Sequence, residues 1–144
     1  MPELLELINL DDTEGFNMPY TPAVKVIGGH PIYLAGVTAA PVYHSHPHVP
    51  AEFANIPLDP AAQAEMAMDN LEMVLAAAGT RLDNLVEVTR FVVDIERNQD
   101  AINRVLGRRM GAHRPATTTV EVTQLATDPR LVLELKAVAV TPVG

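Results

Sequence analysis

Cysteine and tryptophan are absent from this chain, and aromatic residues make up only 4% of it. Without cysteine there is no disulfide, no thiolate nucleophile and no sulfur-ligated metal centre. With so few rings, the core has to be built from aliphatic side chains and methionine, which suits a chain that is 48% hydrophobic and holds six methionines. Positive charge is scarce as well. Ten lysines and arginines stand against 18 acidic residues, for a net charge of −8, and the only adjacent basic pair is Arg108-Arg109. A phosphate-backbone binder normally carries a basic footprint, so no nucleic-acid partner is expected. No apolar run is long enough to cross a bilayer and no charged-then-apolar leader opens the chain. A soluble, cytoplasmic protein without a membrane partner follows. Residues 1–144 are expected to form a single domain, large enough for one core without staples.

What is present reads as strands and two helices. Residues 1–17 suggest a short edge strand and a turn. Pro19 and Pro22 hold an extended segment around Tyr20, because each proline pushes its predecessor out of the helical region. Residues 24–37 read as a hairpin turning at Gly28-Gly29. A helix follows with Asp59 as cap, Pro60 in the first turn and Gly79 as its stop. Its inward face is Ala64, Ala67, Met68, Leu71, Val74, Leu75 and Ala78, widened by Met66 and Met73. Residues 85–95 alternate as a strand, with Val86, Val88, Arg90 and Val92 on one face. A second helix is predicted over residues 98–110, capped by Asn98 and stopped by Gly111. Two β-rich runs, TTTVEV at 117–122 and LVLELKAVAV at 131–140, close the chain. This order implies an α+β architecture: a mixed sheet with both helices on one face and the other face left for something else to cover. Glu134 is an ionisable group within an apolar strand, which is costly to bury, so it faces water or a polar site.

The string Arg114-Pro115-Ala116-x-x-x-Val120-Glu121-Val122-x-x-Leu125, followed by Glu134-x-x-Ala137-x-Ala139, resembles the C-terminal signature of the Rid family of enamine/imine deaminases. The upstream words Pro19-Tyr20-x-x-Ala23-Val24-Lys25 and Ile56-Pro57-Leu58-Asp59-Pro60 fit the same family, as do Gln63, Asp69-Asn70 and Asn103. The resemblance implies a chorismate-mutase-like fold, a homotrimeric barrel and small-molecule clefts between subunits. It also implies hydrolysis of an enamine or imine, with no cofactor. Position by position, the water-orienting glutamate matches Glu134, the backbone-contributing positions match Gly36 and Thr119, and the pocket tyrosine matches Tyr20. Asn103 matches a helix residue more in keeping with a structural role. The arginine that grips the substrate carboxylate in deaminase members is Thr117 here.

Losing one partner of a buried charged pair costs about 2–5 kcal/mol, against about 1 kcal/mol net for a neutral hydrogen bond. Turnover of a 2-imino acid held in the family's way is therefore expected to be poor. Arg90, an arginine among valines, offers a relocated guanidinium, with a pairing to Glu121 or Glu134 or a snorkelling surface position as the plainer readings. Lys136 either holds an anion or neutralises Glu134. The expected function is a divergent Rid-type hydrolase with Glu134 as catalytic residue and Tyr20, Gly36, Thr117, Thr119 and Arg90 binding substrate. The alternatives are a non-catalytic small-molecule-binding trimer, or an enzyme of the aminomuconate-deaminase-like branch, which the ELKAVA ending resembles. His44, His46 and His48 alternate within a long loop over residues 38–57. They suit either a metal-ligating face or a solvated loop whose imidazoles titrate near neutrality. No recognised zinc spacing is present, and no metal is expected.

Overall fold

The computed structural model describes residues 3–10 and 16–143. Its strands are β1 (Leu5–Ile8), β2 (Ala23–Val26), β3 (His30–Tyr33), β4 (Leu85–Val93), β5 (Ala116–Val122) and β6 (Leu133–Thr141), with helices α1 (Pro60–Ala77) and α2 (Ile95–Met110). The turn expected before residue 16 lies largely outside the described residues. A mixed four-stranded sheet runs in the order β3-β6-β4-β5, and β1 and β2 form a separate ribbon. β4 and β5 are parallel and joined through α2, whereas β6 is antiparallel to both β4 and β3. The expected α+β mixed sheet with two helices is therefore what the chain forms. No helix among the described residues is long and apolar enough to cross a membrane.

The core lies between the sheet and the helices. Leu133, Leu135, Ala137 and Ala139 of β6 meet Ala64, Ala67, Met68, Leu71 and Leu75 of α1 and Ile102, Val105, Leu106 and Met110 of α2. Asp59 caps α1, accepting from the Ala62 N–H at 3.2 Å. Gly79, at φ 80°, ends it in the left-handed region that glycine enters without steric cost. Met73, expected to widen the buried stripe, is solvent-facing at 59% exposure. Met66 instead joins a smaller cluster of Ala39, Ala40, Phe53, Ile56, Leu125 and Leu131, against which Phe91, Val93 and Val122 also pack.

Three local expectations are corrected. Residues 24–37 are not a hairpin: β2 pairs back with β1, while β3 joins the edge of β6. Gly29 marks the crossing between sheets, with φ 84° and a position where a Cβ would sit 3.3 Å from the Thr141 carbonyl carbon. Asn98 does not cap α2. The helix starts three residues earlier, its Ile95 N–H is accepted by Glu121 Oε1 of β5 at 3.0 Å, and Asn98 Nδ2 reaches back to the Val93 carbonyl at 2.7 Å. The β4 alternation is also interrupted by a bulge between Leu85 and Glu87, so Leu85 is buried beside Val88, Arg90 and Val92.

Gln63 is the polar knot of the interior. At 1% exposure, its Nε2 donates to the Pro57 and Arg130 carbonyls at 2.8 and 2.7 Å, and its Oε1 accepts from Val132 N–H at 2.8 Å. It joins the entry to α1 to the loop before β6. Gln63→Leu would keep the volume and orphan three backbone groups, each costing about 1–3 kcal/mol. Urea unfolding at fixed protein concentration should show a loss of at least about 3 kcal/mol, whereas Met73→Ala on the wet face of α1 should change little.

Candidate functional site between two sheet faces

Register decides where each candidate residue stands. Thr117 pairs with Val88 and Thr119 with Arg90 along β4–β5, so both threonines share the helix-covered side of the sheet with Arg90. Glu134 pairs with Phe91 across β4–β6 and therefore lies on the opposite, helix-free side. The six expected site residues thus form two groups rather than one.

The first group surrounds Arg90. Its side chain is sandwiched under α2 at 8% exposure, and Nη1 donates to Asn103 Oδ1 at 2.9 Å. Its Nε is buried without a hydrogen-bond partner. Burial, and secondarily the nearby Arg114, pull its pKa below the usual guanidinium value. Neither Glu121 nor Glu134 pairs with it: Glu121 is engaged at the start of α2, and Glu134 points away through the sheet. A cavity of about 270 Å³ opens beside the guanidinium, lined by Pro19, Tyr20, Arg90, Gln99, Asn103, Thr117 and Thr119. Tyr20 is carried there by Thr21, whose N–H and hydroxyl bond the Pro115 and Arg114 carbonyls at 3.3 and 2.5 Å. Thr117 donates its hydroxyl to the Pro115 carbonyl at 3.1 Å and stands at the cavity wall. Asn103, which the sequence suggested as structural, is the polar partner of Arg90. Gln99 and Asn103 stand four apart on one helix face, and that spacing was the available signal.

The second group is Glu134 over Gly36. A Cβ on Gly36 would lie 2.9 Å from the carboxyl carbon of Glu134, so a side chain there would push the Glu134 carboxylate out of this position. Glu134 makes no ion pair among the described residues, and Lys136 does not neutralise it: Lys136 Nζ donates instead toward the Leu34 carbonyl at 3.4 Å. On the same face Tyr33 is 77% and Val120 39% exposed, beside the exposed Lys136 and Thr118.

Comparison with known proteins gives the family. Residues 15–141 match the family model described as Endoribonuclease L-PSP. The chain is 30% identical over 112 residues to the 2-iminobutanoate/2-iminopropanoate deaminase of Escherichia coli K12, covering 75% of this chain and 86% of that one. It belongs to the Rid family. Protein DfrA of Myxococcus xanthus is another relative, 34% identical over 123 residues, with 85% and 86% of the two chains covered. Among solved structures, the Rid protein YyfB of Yersinia pestis superposes with a TM-score of 0.77 at 26% identity, covering 96% of this chain and 99% of that one. The same mixed sheet with two helices is the Rid fold.

The long loop before α1 brings His44, His46 and His48 together, with ligand-capable nitrogens all within 4.8 Å of one another. Phe53 lies beneath it and its carbonyl accepts from Arg130 Nη2 at 2.9 Å, while Arg130 is in turn held by Asp128 at 2.9 Å. Arg130 holds the Asp128 carboxyl below its ordinary range. A carboxylate whose folded pKa is depressed contributes stability above its unfolded pKa of about 3.9 and loses it as pH falls through the folded value. The stability difference between wild type and Asp128→Asn should therefore be constant from about pH 7 to 5 and close below about pH 4, followed by urea midpoints across that range.

Proposed function

We propose that this Rid protein hydrolyses a small imine or enamine that carries a carboxylate, in a cleft built by two neighbouring copies of a homotrimer. The observation that supports it is Arg90: a buried guanidinium with an unpartnered Nε, facing a cavity that Tyr20, Thr117 and Thr119 also line. A cation held out of water with one neutral partner is short of counter-charge, and a carboxylate ligand supplies it. Arg90 stands in register with Thr119 on the strand next to Thr117, so it is a fitting substitute for the arginine that other members carry at the position of Thr117.

Glu134 cannot serve the same small ligand from the same copy, because the sheet lies between them. In the trimer, the bare sheet face of one copy carries Glu134 and Gly36 to the Arg90 side of the next. Binding of the carboxylate to Arg90 and of the ring or chain against Tyr20 presents the C=N carbon to the neighbour's Glu134. Glu134 takes a proton from water as the oxygen adds to that carbon, giving a carbinolamine. Glu134 returns that proton to the imine nitrogen, the carbinolamine's hydroxyl proton follows it as the C=O bond forms, and the C–N bond breaks to release ammonia and leave a carbonyl. The Gly36 backbone, beside the carboxylate, offers hydrogen bonding to the oxygen that gains charge. The one basic pair of the sequence does not favour RNA cleavage: Arg109 bonds Glu65, Asp69 and Glu72 at 2.8, 2.8 and 2.5 Å, and Arg108 pairs with Glu65.

The test is ammonia release from 2-imino acids generated in situ. Arg90→Met removes the buried charge while keeping volume, so folding should be preserved. kcat/KM should fall by roughly thirty-fold to several-thousand-fold, the equivalent of about 2–5 kcal/mol. Adding Thr117→Arg to Arg90→Met should recover part of the loss, while Glu134→Gln should lower kcat with little effect on binding. Full activity in Arg90→Met would overturn the reading, and tight carboxylate binding with no turnover would leave a binding trimer in its place.

A further inference from the structure

The histidine loop has no part in the chemistry above, yet it gathers three of the chain's five histidines within five residues. We propose that His44, His46 and His48 form a divalent transition-metal site of the imidazole-preferring kind, with zinc as its natural occupant. Their rings sit 4.7, 5.0 and 5.1 Å apart between centroids. One nitrogen from each lies within 4.8 Å of the other two. A tetrahedral zinc at about 2.0–2.1 Å from each nitrogen needs nitrogens about 3.3 Å apart. Closing that gap asks only for ring rotation, since His46 and His48 are exposed.

Packing alone does not account for the convergence. Exposed imidazoles gain little from one another in water, and protonation would set them in mutual repulsion. A shared cation supplies the missing reason. The loop is also braced beneath the rings. Phe53, 2% exposed, meets His44 and His48 edge-on at 5.2 and 5.3 Å, and Glu52 accepts from Ser45 N–H at 3.0 Å. Three imidazoles suit zinc, copper, nickel or cobalt over magnesium or calcium. They leave a fourth position open to water, the arrangement of zinc sites that exchange ligands rather than of closed structural ones.

The experiment uses full-length protein without a histidine tag, stripped with chelator and titrated with zinc(II) by calorimetry and with cobalt(II) by visible absorption. The expected result is one metal per chain with micromolar or tighter affinity, and the intense cobalt bands of a four-coordinate site. His46→Ala should weaken binding at least about ten-fold, since losing even an outer-shell partner costs ~10–100-fold. His30→Ala, on β3, should leave it unchanged. His46 is exposed, so its replacement should not disturb folding, and circular dichroism checks this. Binding unchanged in His46→Ala, binding lost equally in His30→Ala, or no binding by the stripped protein would each overturn the proposal.

Discussion

Everything about this site follows from side chains alternating across a strand while β4 and β6 lie side by side. That alternation sets Arg90 under α2 and Glu134 on the bare face. Two residues that a small ligand would have to touch together are thereby kept apart in any one copy. The fold sets the two groups on opposite faces of one sheet, and the proposed cleft between copies is the arrangement that would bring them together. Tyr33 and Val120 leave apolar surface open on that face, beside a carboxylate without an ion-pair partner among the described residues.

Arg90 is the charge whose burial most constrains this side of the sheet. Burying a guanidinium is expensive unless it is paired, and removing it in favour of an apolar residue is often neutral or stabilising. Glu121, two residues beyond Thr119 on β5, is engaged instead by the Ile95 N–H at the start of α2. Only Asn103, a neutral and exposed partner, remains. A cation in that state is preorganised to bind an anion: its desolvation has been met by the fold rather than at the moment of binding.

Much of the fold could be read from residues alone because its signals are local. Asp59, Pro60 and Gly79 bracket α1, the three-and-four spacing of Ile102, Val105, Leu106 and Met110 marks α2, and the β-rich run at 131–140 is the central strand β6. The errors share one cause, which is competition from partners distant in sequence. Gly28-Gly29 carries hairpin chemistry, yet β6 outbids β2 for β3. Asn98 resembles a cap, but a carboxylate 26 residues beyond Ile95 does the capping and moves the helix start forward. For the site, the residue types were legible and their division between two faces was not. Strand period fixes which neighbours share a face within β4 or β6, but only register says how those faces align between strands.

The histidine loop sits at the end of that same open face, not at a remote edge. Phe53, on which two of its rings rest, shares a cluster with Phe91, and Phe91 is the residue paired with Glu134. A metal bound there would stiffen the segment that covers this end of the sheet, because three ligands from residues 44–48 would be tied to one centre while Arg130 holds the Phe53 carbonyl from below. Stiffening costs least where a loop is already anchored at both ends, and here it is: Thr38 Oγ1 and Asn70 fix its beginning, and Gln63 fixes Pro57 near its end. A long insertion held at both ends has little entropy left to lose on binding an ion. Such a loop has a use for three histidines that a freely solvated one would not.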